Sequence, residues 1–234
     1  MKLTKSLDKM WYLSKIGFFE FLPKEGLEVF APMIRHETVA KHTIIQTPDT
    51  AENKLYFVKE GAVRIYDMDE EGRTFTVSLL GPYSTYGAIR SFSLGTENVY
   101  VETIADVYLC SMTEEQFHEL LQSHPDIAVH AMEMLSKRLQ ERERLLQMIA
   151  TGSVKQQITH LLVSMADTYG KKEKVFVDIP IPLSHQEIAN MLGVTRESVS
   201  TNMRRLKSEG MIRNSGRKTI QVNQQVITDY NENA

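Results

Sequence analysis

The chain has 234 residues, 42% of them hydrophobic and 24% charged, a makeup that predicts a soluble globular protein of one large domain or two modest ones. Its net charge of −3 hides an asymmetry, since Gly152 onward carries 11 Lys and Arg against 8 Asp and Glu, whereas residues 1–151 carry 16 against 22. One cysteine, Cys110, excludes an intramolecular disulfide and every multi-cysteine metal or iron–sulfur site. No apolar run nears the roughly 20 residues that span a bilayer, and Met1-Lys2-Leu3-Thr4-Lys5 lacks the apolar core of a signal peptide. A cytoplasmic location without membrane contact is expected.

Residues 4–35 read as helical. Leu13, Ile16, Phe18, Phe19 and Phe21, then Leu27, Val29, Phe30, Met33 and Ile34 past a break at Pro23, are the expected core contacts. From Glu37 to about Ser111 short apolar runs alternate with turn residues: His42–Ile45, Lys54–Val58, Ala62–Tyr66, Phe75–Leu80, Val99–Ile104 and Val107–Cys110. Strands at that spacing predict an all-β sandwich or barrel, with Asp69-Glu70-Glu71-Gly72 as a hairpin turn. In the last run, a buried and unreactive thiol is the default reading of Cys110, and redox sensing is its rival.

Thr113-Glu114-Glu115-Gln116 is a capping box, in which two side chains each satisfy a free backbone N–H, and it opens a short helix ending near Ser123-His124-Pro125. A long helix follows, from about Pro125 to Ala150. Met132, Leu135, Leu139, Arg142, Leu146 and Ile149 recur at alternating spacings of three and four, the seam of a parallel two-stranded coiled coil; a single core-packed helix is the alternative. Arg142 sets a charge in that seam, which costs stability unless the charge is paired or ligand-bound.

Thr151-Gly152-Ser153 is a hinge-like break where the charge balance changes sign. Beyond it, Val154–Tyr169 is amphipathic and Val175–Ile179 is a short strand. Ser184 with Glu187 predicts a capped helix whose buried face is Ile188, Ala189 and Leu192, and Gly193 is its stop signal. Thr195 caps a second helix with Val199, Met203 and Leu206 facing inward and Arg196, Glu197, Ser200, Thr201, Arg204 and Lys207 facing outward. Two short helices around a glycine turn form a helix-turn-helix, whose second helix enters the major groove. Between Arg196 and Lys218 there are seven basic and two acidic residues, an electrostatic footprint for phosphates. Ile212–Val222 reads as a basic hairpin with Asn214-Ser215-Gly216 at its tip, a wing able to lie on phosphates. The tail to Ala234 is polar and uninformative.

This order resembles the Crp/Fnr family of bacterial transcription regulators over nearly the whole chain. The resemblance rests on Leu55–Val63, Asp69–Arg73, Leu79-Leu80-Gly81-Pro82, Pro125-Asp126-Ile127 with Lys137-Arg138-Leu139, and Leu183–Ala189 through Arg196-Glu197. It implies an α+β chain: a cyclic-nucleotide-binding-like β-barrel of jelly-roll type with N-terminal helices over 1–124, a dimerisation helix over 125–151, and a winged helix-turn-helix over 152–234. It further implies a homodimer on a palindromic operator of double-stranded DNA, contact with RNA polymerase, and a signal received in the barrel.

On that footing Arg196, Glu197, Ser200 and Thr201 are candidates for base edges, Ser198 is a DNA-binding candidate beside them, and Ser184, Gln186, Arg204, Lys207, Arg213, Arg217 and Lys218 are candidates for backbone contacts that fix register. Thr201 stands where the family commonly has Arg, so the half-site is expected to differ, and Asn202 occupies a usually apolar place. The sensor departs further. Gly87-Ala88-Ile89-Arg90-Ser91-Phe92 and Thr96–Tyr100 lack the Glu and the phosphate-binding Arg of cyclic-AMP-binding members, and Arg142-Glu143 replaces their adenine-contacting Thr-Ser. Loss of cyclic-AMP binding is therefore expected, with no cofactor. Arg90 and Arg142 are candidate ligands for a small anionic effector, against the plainer reading as salt bridges. The lone histidines His36, His42 and His118 read as surface or hydrogen-bonded residues rather than haem ligands. The rival from another class is a ligand-sensing module without DNA function; an enzyme is not expected, for no nucleophile elbow, phosphate loop or metal-ligand spacing occurs.

Overall fold

In a computed structural model that describes residues 11–20, 22–32, 34–173, 175–214 and 219–232, the alternating runs of the first half form strands. These are β1 (Arg35–Val39), β2 (Ile44–Gln46), β3 (Lys54–Glu60), β4 (Val63–Met68), β5 (Thr74–Leu80), β6 (Thr85–Ile89), β7 (Phe92–Ser93), β8 (Tyr100–Thr103) and β9 (Val107–Thr113). They build two sheets of the jelly-roll kind, ordered β1-β9-β3-β6-β7 and β2-β8-β4-β5. The chain divides into two units, residues 1–65 with 79–139 and residues 66–78 with 140–234.

The core of the first unit gathers Phe19, Phe30, Phe57, Met112, Leu120 and Ile127, each at most 2% exposed. Each such side chain is worth roughly 1.5–3 kcal/mol on burial. The helical reading of residues 4–35 holds only in part among the described residues, while its break at Pro23 is found. A helical turn ends at Leu13, Gly17–Phe19 is a 3-10 turn, and α1 (Lys24–Phe30) starts only after Pro23, whose extended ψ of 158° cannot continue a helix. Leu13, Ile16, Phe19, Leu27, Phe30 and Ile34 are core residues as expected, but Val29 is 57% exposed because α1 turns it away from Leu27 and Phe30. Phe21, Met33 and the side chain of Phe18 lie outside the described residues.

α2 (Glu114–Ser123) begins on the reciprocal cap read from the sequence: Thr113 Oγ1 accepts from the Gln116 N–H, and Gln116 Oε1 accepts from the Thr113 N–H. α3 (Asp126–Thr151) is the long helix. Ile127 and Ala131 are buried, and Leu135, expected in the seam, instead packs partly against the core of the first unit. Met132, Leu139 and Leu146 stay exposed. Among the described residues no helix is long and apolar enough to cross a membrane.

In the second unit α3 stops at Thr151, and Ser153 opens α4 (Val154–Tyr169) through a capping box with Gln156. Then come β10 (Lys171–Lys172), β11 (Phe176–Ile179), α5 (His185–Leu192), α6 (Arg196–Ser208), β12 (Ile212–Asn214), β13 (Ile220–Asn223) and α7 (Gln224–Glu232). The sheet order is β10-β11-β13-β12. Ile158, Leu162, Val199, Leu206 and Val222 are at most 1% exposed and fix the helices on one core. α7 corrects the reading of the tail as uninformative: Ile227 is buried, and Tyr230 Oη lies 2.7 Å from His160 Nδ1 on α4.

Candidate nucleic-acid interface

Three local devices set the angle between α5 and α6. Ser184 Oγ accepts from the Glu187 N–H and caps α5. Gly193 ends α5 at φ 65° and ψ 31°, a left-handed conformation that costs an L side chain about 1–2 kcal/mol. Thr195 Oγ1 then accepts from the Ser198 N–H and starts α6. Only the hydroxyl half of the cap predicted at Ser184 forms; the Glu187 carboxylate instead accepts from Thr76 Oγ1 at 3.2 Å. Beside it the Asn190 amide donates to Thr74 Oγ1 at 3.3 Å, so two α5 side chains engage residues 74–76 of the same unit.

Val199, Met203 and Leu206 are buried, as their spacing predicts, so the opposite face of α6 is turned outward. Arg196, Glu197, Thr201 and Arg204 are exposed there, while Ser198 and Ser200 are half-buried. Ser200 Oγ lies 2.8 Å from His185 Nδ1, which ties it to the first turn of α5. The Asn202 amide donates to the Ser198 carbonyl, so this polar residue at a usually apolar place finds its partner within α6. Arg204 Nε donates to the Ser200 carbonyl at 3.3 Å, holding the guanidinium along the helix. Gln186 is exposed and donates to Asn190 Oδ1.

The basic residues of this region fall into two groups. Arg196 and Lys207 are in no ion pair among the described residues. Arg205 is paired with Glu209, which Lys155 also contacts, and these bonds hold the Glu209 carboxyl below its usual range. Arg213 is committed as well: its guanidinium lies 4.0 Å over the Phe176 ring and 3.9 Å from Glu173, and Nε donates to Gln221 Oε1. β12 and β13 pair antiparallel as the two strands of the expected wing, and its tip, with Ser215, Gly216 and the candidates Arg217 and Lys218, lies outside the described residues.

His185 is the residue that sequence reasoning passed over. Burial pushes its imidazole below the ordinary histidine value of 6.5, and the charges of Lys207 and Arg196 push the same way. The signal in the sequence is its place, directly after an N-cap and beside a basic helix.

The two effector candidates fall in different units. Arg90 lies 3.4 Å from Glu114 with 79% of its side chain exposed, the plainer salt-bridge reading; Arg142 is exposed on α3. In the β-sandwich, Tyr86 is stacked on Tyr56 at 5.0 Å. The Gly87 N–H donates to Thr96 Oγ1, and at φ 109° any Cβ on Gly87 would sit 2.2 Å from the Lys54 carbonyl. Cys110 is 3% exposed, with its sulfur 3.2 Å from His36 Nδ1; His42 meets Glu102, and His118 meets Ser91 and Glu114.

Residues 156–225 match the family model of the Crp-like helix-turn-helix domain, and residues 36–124 match that of the cyclic nucleotide-binding domain. The chain is 24% identical to the probable transcriptional regulator flp of Lacticaseibacillus casei, over 92% of this chain and 95% of that protein. It is 27% identical to the global nitrogen regulator of Synechocystis sp. and to the cAMP-activated global transcriptional regulator CRP of Haemophilus influenzae, in each case over 80% of this chain and 83% of the other. Among solved structures it shares its fold with FixK2 from Bradyrhizobium japonicum, at a TM-score of 0.68 and 20% identity over 84% of this chain and 96% of that one. A mutant of CooA from Carboxydothermus hydrogenoformans gives a TM-score of 0.66 and 21% identity, over 85% and 88%.

Proposed function

Because the chain belongs to the Crp/Fnr family of transcription regulators and carries that family's helix-turn-helix DNA-binding domain, we propose that it acts as a cytoplasmic homodimer on a two-fold symmetric operator. The observation that carries this reading is the exposed N-terminal face of α6, where Arg196, Glu197 and Thr201 stand clear of the core that anchors the helix from behind. Arg offers two parallel donors to guanine and Glu accepts from cytosine, so both suit direct readout in a major groove. Ser184, Gln186, Arg204, Lys207 and the wing residues Arg217 and Lys218 contact the backbone, Arg213 joins them through the half of its side chain left exposed beside Glu173 and Phe176, and Ser198 and Ser200 support the reading face.

The exposed row Met132, Leu139 and Leu146 on α3 supports the pairing of two chains. The dimer binds DNA and meets RNA polymerase; it performs no catalysis. Its barrel does not take cyclic AMP, a reading supported by the Tyr56–Tyr86 stack, by the Gly87 N–H already held by Thr96, and by the outward Arg90. An effector, where one acts in the barrel, is a different small molecule. Selection of bound duplexes from random-sequence DNA tests the reading: a palindrome with half-site centres roughly 34 Å apart is expected. Recovery of no consensus, or of a single half-site, would point instead to a ligand-sensing module or a monomeric reader.

His185 adds a pH dependence. In the free protein it stays neutral to a lower pH than an ordinary histidine, and a phosphate at the N-terminus of α5 favours its charged form. The complex therefore takes up a proton. Operator affinity should rise as the pH falls through the pKa of the bound protein and level off only below that of the free protein, which lies under 6.5, by up to about tenfold per unit and half-site in between. Fluorescence anisotropy on the wild type and on His185→Gln measures this; equal slopes for the two would remove His185 from the contact.

A further inference from the structure

A cavity of about 670 Å3 lies wholly within the second unit, between the end of α3, the outer face of α4 and α7. Its size is that of a small-molecule site. It has nothing to do with the barrel loop, and α7, which closes it, is the element that the sequence left unread.

Position on α3 keeps this cavity open in a dimer. The seam residues Leu139, Arg142, Leu146 and Ile149 are each followed two places later by a lining residue: Glu141, Arg144, Met148 and Thr151. Two places on an α-helix are about 200° of rotation, so the cavity faces away from the seam.

The charges in the wall are unevenly placed. Arg144 has no ion pair among the described residues, and its charge reaches both His160 and Tyr230, whose side chains are hydrogen-bonded to each other at 2.7 Å. That corner offers a guanidinium beside a phenol and an imidazole, a setting for a carboxylate. Glu141, Asp167 and Asp229 supply three negative charges elsewhere in the wall. Asp167 accepts from Asn231, an amide that leaves its charge in place, and Asp229 accepts from Gln225. A simple carboxylate would be repelled by the acids and a simple amine by the arginine. Val163, Val226, Met148 and Met211 give the wall its apolar part, among the uncharged polar side chains of Gln147, Thr151, Thr159, Ser164, Thr168 and Asn231, and accept an aliphatic or aromatic group.

We propose that this cavity is a binding site for a small zwitterion of the α-amino-acid type with an apolar side chain, its carboxylate on Arg144 and its ammonium toward the acids. Such a ligand would tie the last turn of α3 to α4 and α7 across Gly152 and so fix the angle at which the hinge presents the reader.

Two cavity-lining methionines, Met148 and Met211, report occupancy directly, with Met112 in the core of the first unit as the silent control. The full-length protein carrying 13C-methyl methionine is titrated with L-leucine, L-valine, L-methionine and L-phenylalanine, each to about 10 mM, a limit that catches even millimolar affinity. At least one of them should shift the Met148 and Met211 methyl signals saturably and leave Met112 in place. For leucine the comparison compounds are 4-methylpentanoate, which lacks the amine, and isopentylamine, which lacks the carboxylate; the truncated analogues should bind at least about tenfold more weakly. Arg144→Gln, a change at an exposed residue, should abolish the shift while the Met112 signal shows the fold intact. No saturable shift, equal binding of a truncated analogue, or full binding to Arg144→Gln would overturn the assignment. None of these outcomes depends on DNA binding, so the site stands or falls separately from the proposed function.

Discussion

Replacing Leu139 and Leu146 together by glutamate is expected to convert the protein to a monomer and to cost at least about a hundredfold in operator affinity, because the second half-site is no longer engaged at high effective concentration. The two leucines are 59% and 66% exposed in the single chain, and Met132, seven residues before Leu139, is 61% exposed. A row of large apolar side chains seven apart on a 26-residue helix forms one edge of a coiled-coil seam. Four leucines per dimer, at about 1.5–3 kcal/mol each on burial, supply most of a stable interface. Leu135 contributes less than its heptad place suggests, since it packs on its own unit, so the seam depends on the row from Met132 to Leu146. Sedimentation equilibrium and anisotropy on the same samples decide the matter. A wild type that sediments as a monomer, or a double variant that remains dimeric, would remove α3 as the pairing element.

The reader is legible in the sequence because everything that shapes it is local. A serine cap, a glycine that reaches φ 65°, a threonine cap and three inward positions at helical spacing all lie within Ser184–Leu206, and each is found where its spacing puts it. The sandwich is legible only where strands alternate. β1 is an edge strand of the sequence Arg-His-Glu-Thr-Val with Val39 alone buried, so it carries no period of two. β6 is buried along its whole length and contains Gly87 at positive φ, so it too has no alternation to read. α7 escapes notice because a single residue, Ile227, is buried in it. The candidate site shows the same divide. That Arg196 faces outward follows from helix periodicity, but which arginines are spent on Glu209, Glu173 or Phe176 is a matter of tertiary neighbours that no local pattern encodes.

That division among the arginines sets the outcome of the second large perturbation. Arg196→Ala should weaken binding to the selected operator by about 1–3 kcal/mol, or roughly five- to 150-fold, and flatten the preference at one base pair of each half-site. Arg196 sits at the first position of α6, is exposed, and is in no ion pair among the described residues, so its fork is free to meet a base edge. Glu197→Ala should relax a neighbouring position while lowering affinity for other sequences little, because a carboxylate that leaves the interface also removes repulsion from phosphates. Arg205→Ala is the comparison that separates base reading from bulk charge: Arg205 carries the same charge on the same helix, but Glu209 already holds it. Its loss should change operator affinity by less than about twofold, in line with the small worth of an exposed pair. Competition binding against every single-base variant of one half-site distinguishes the cases. Equal losses for Arg196→Ala and Arg205→Ala, spread evenly over all sequences, would mean that α6 contributes charge to the complex without reading bases.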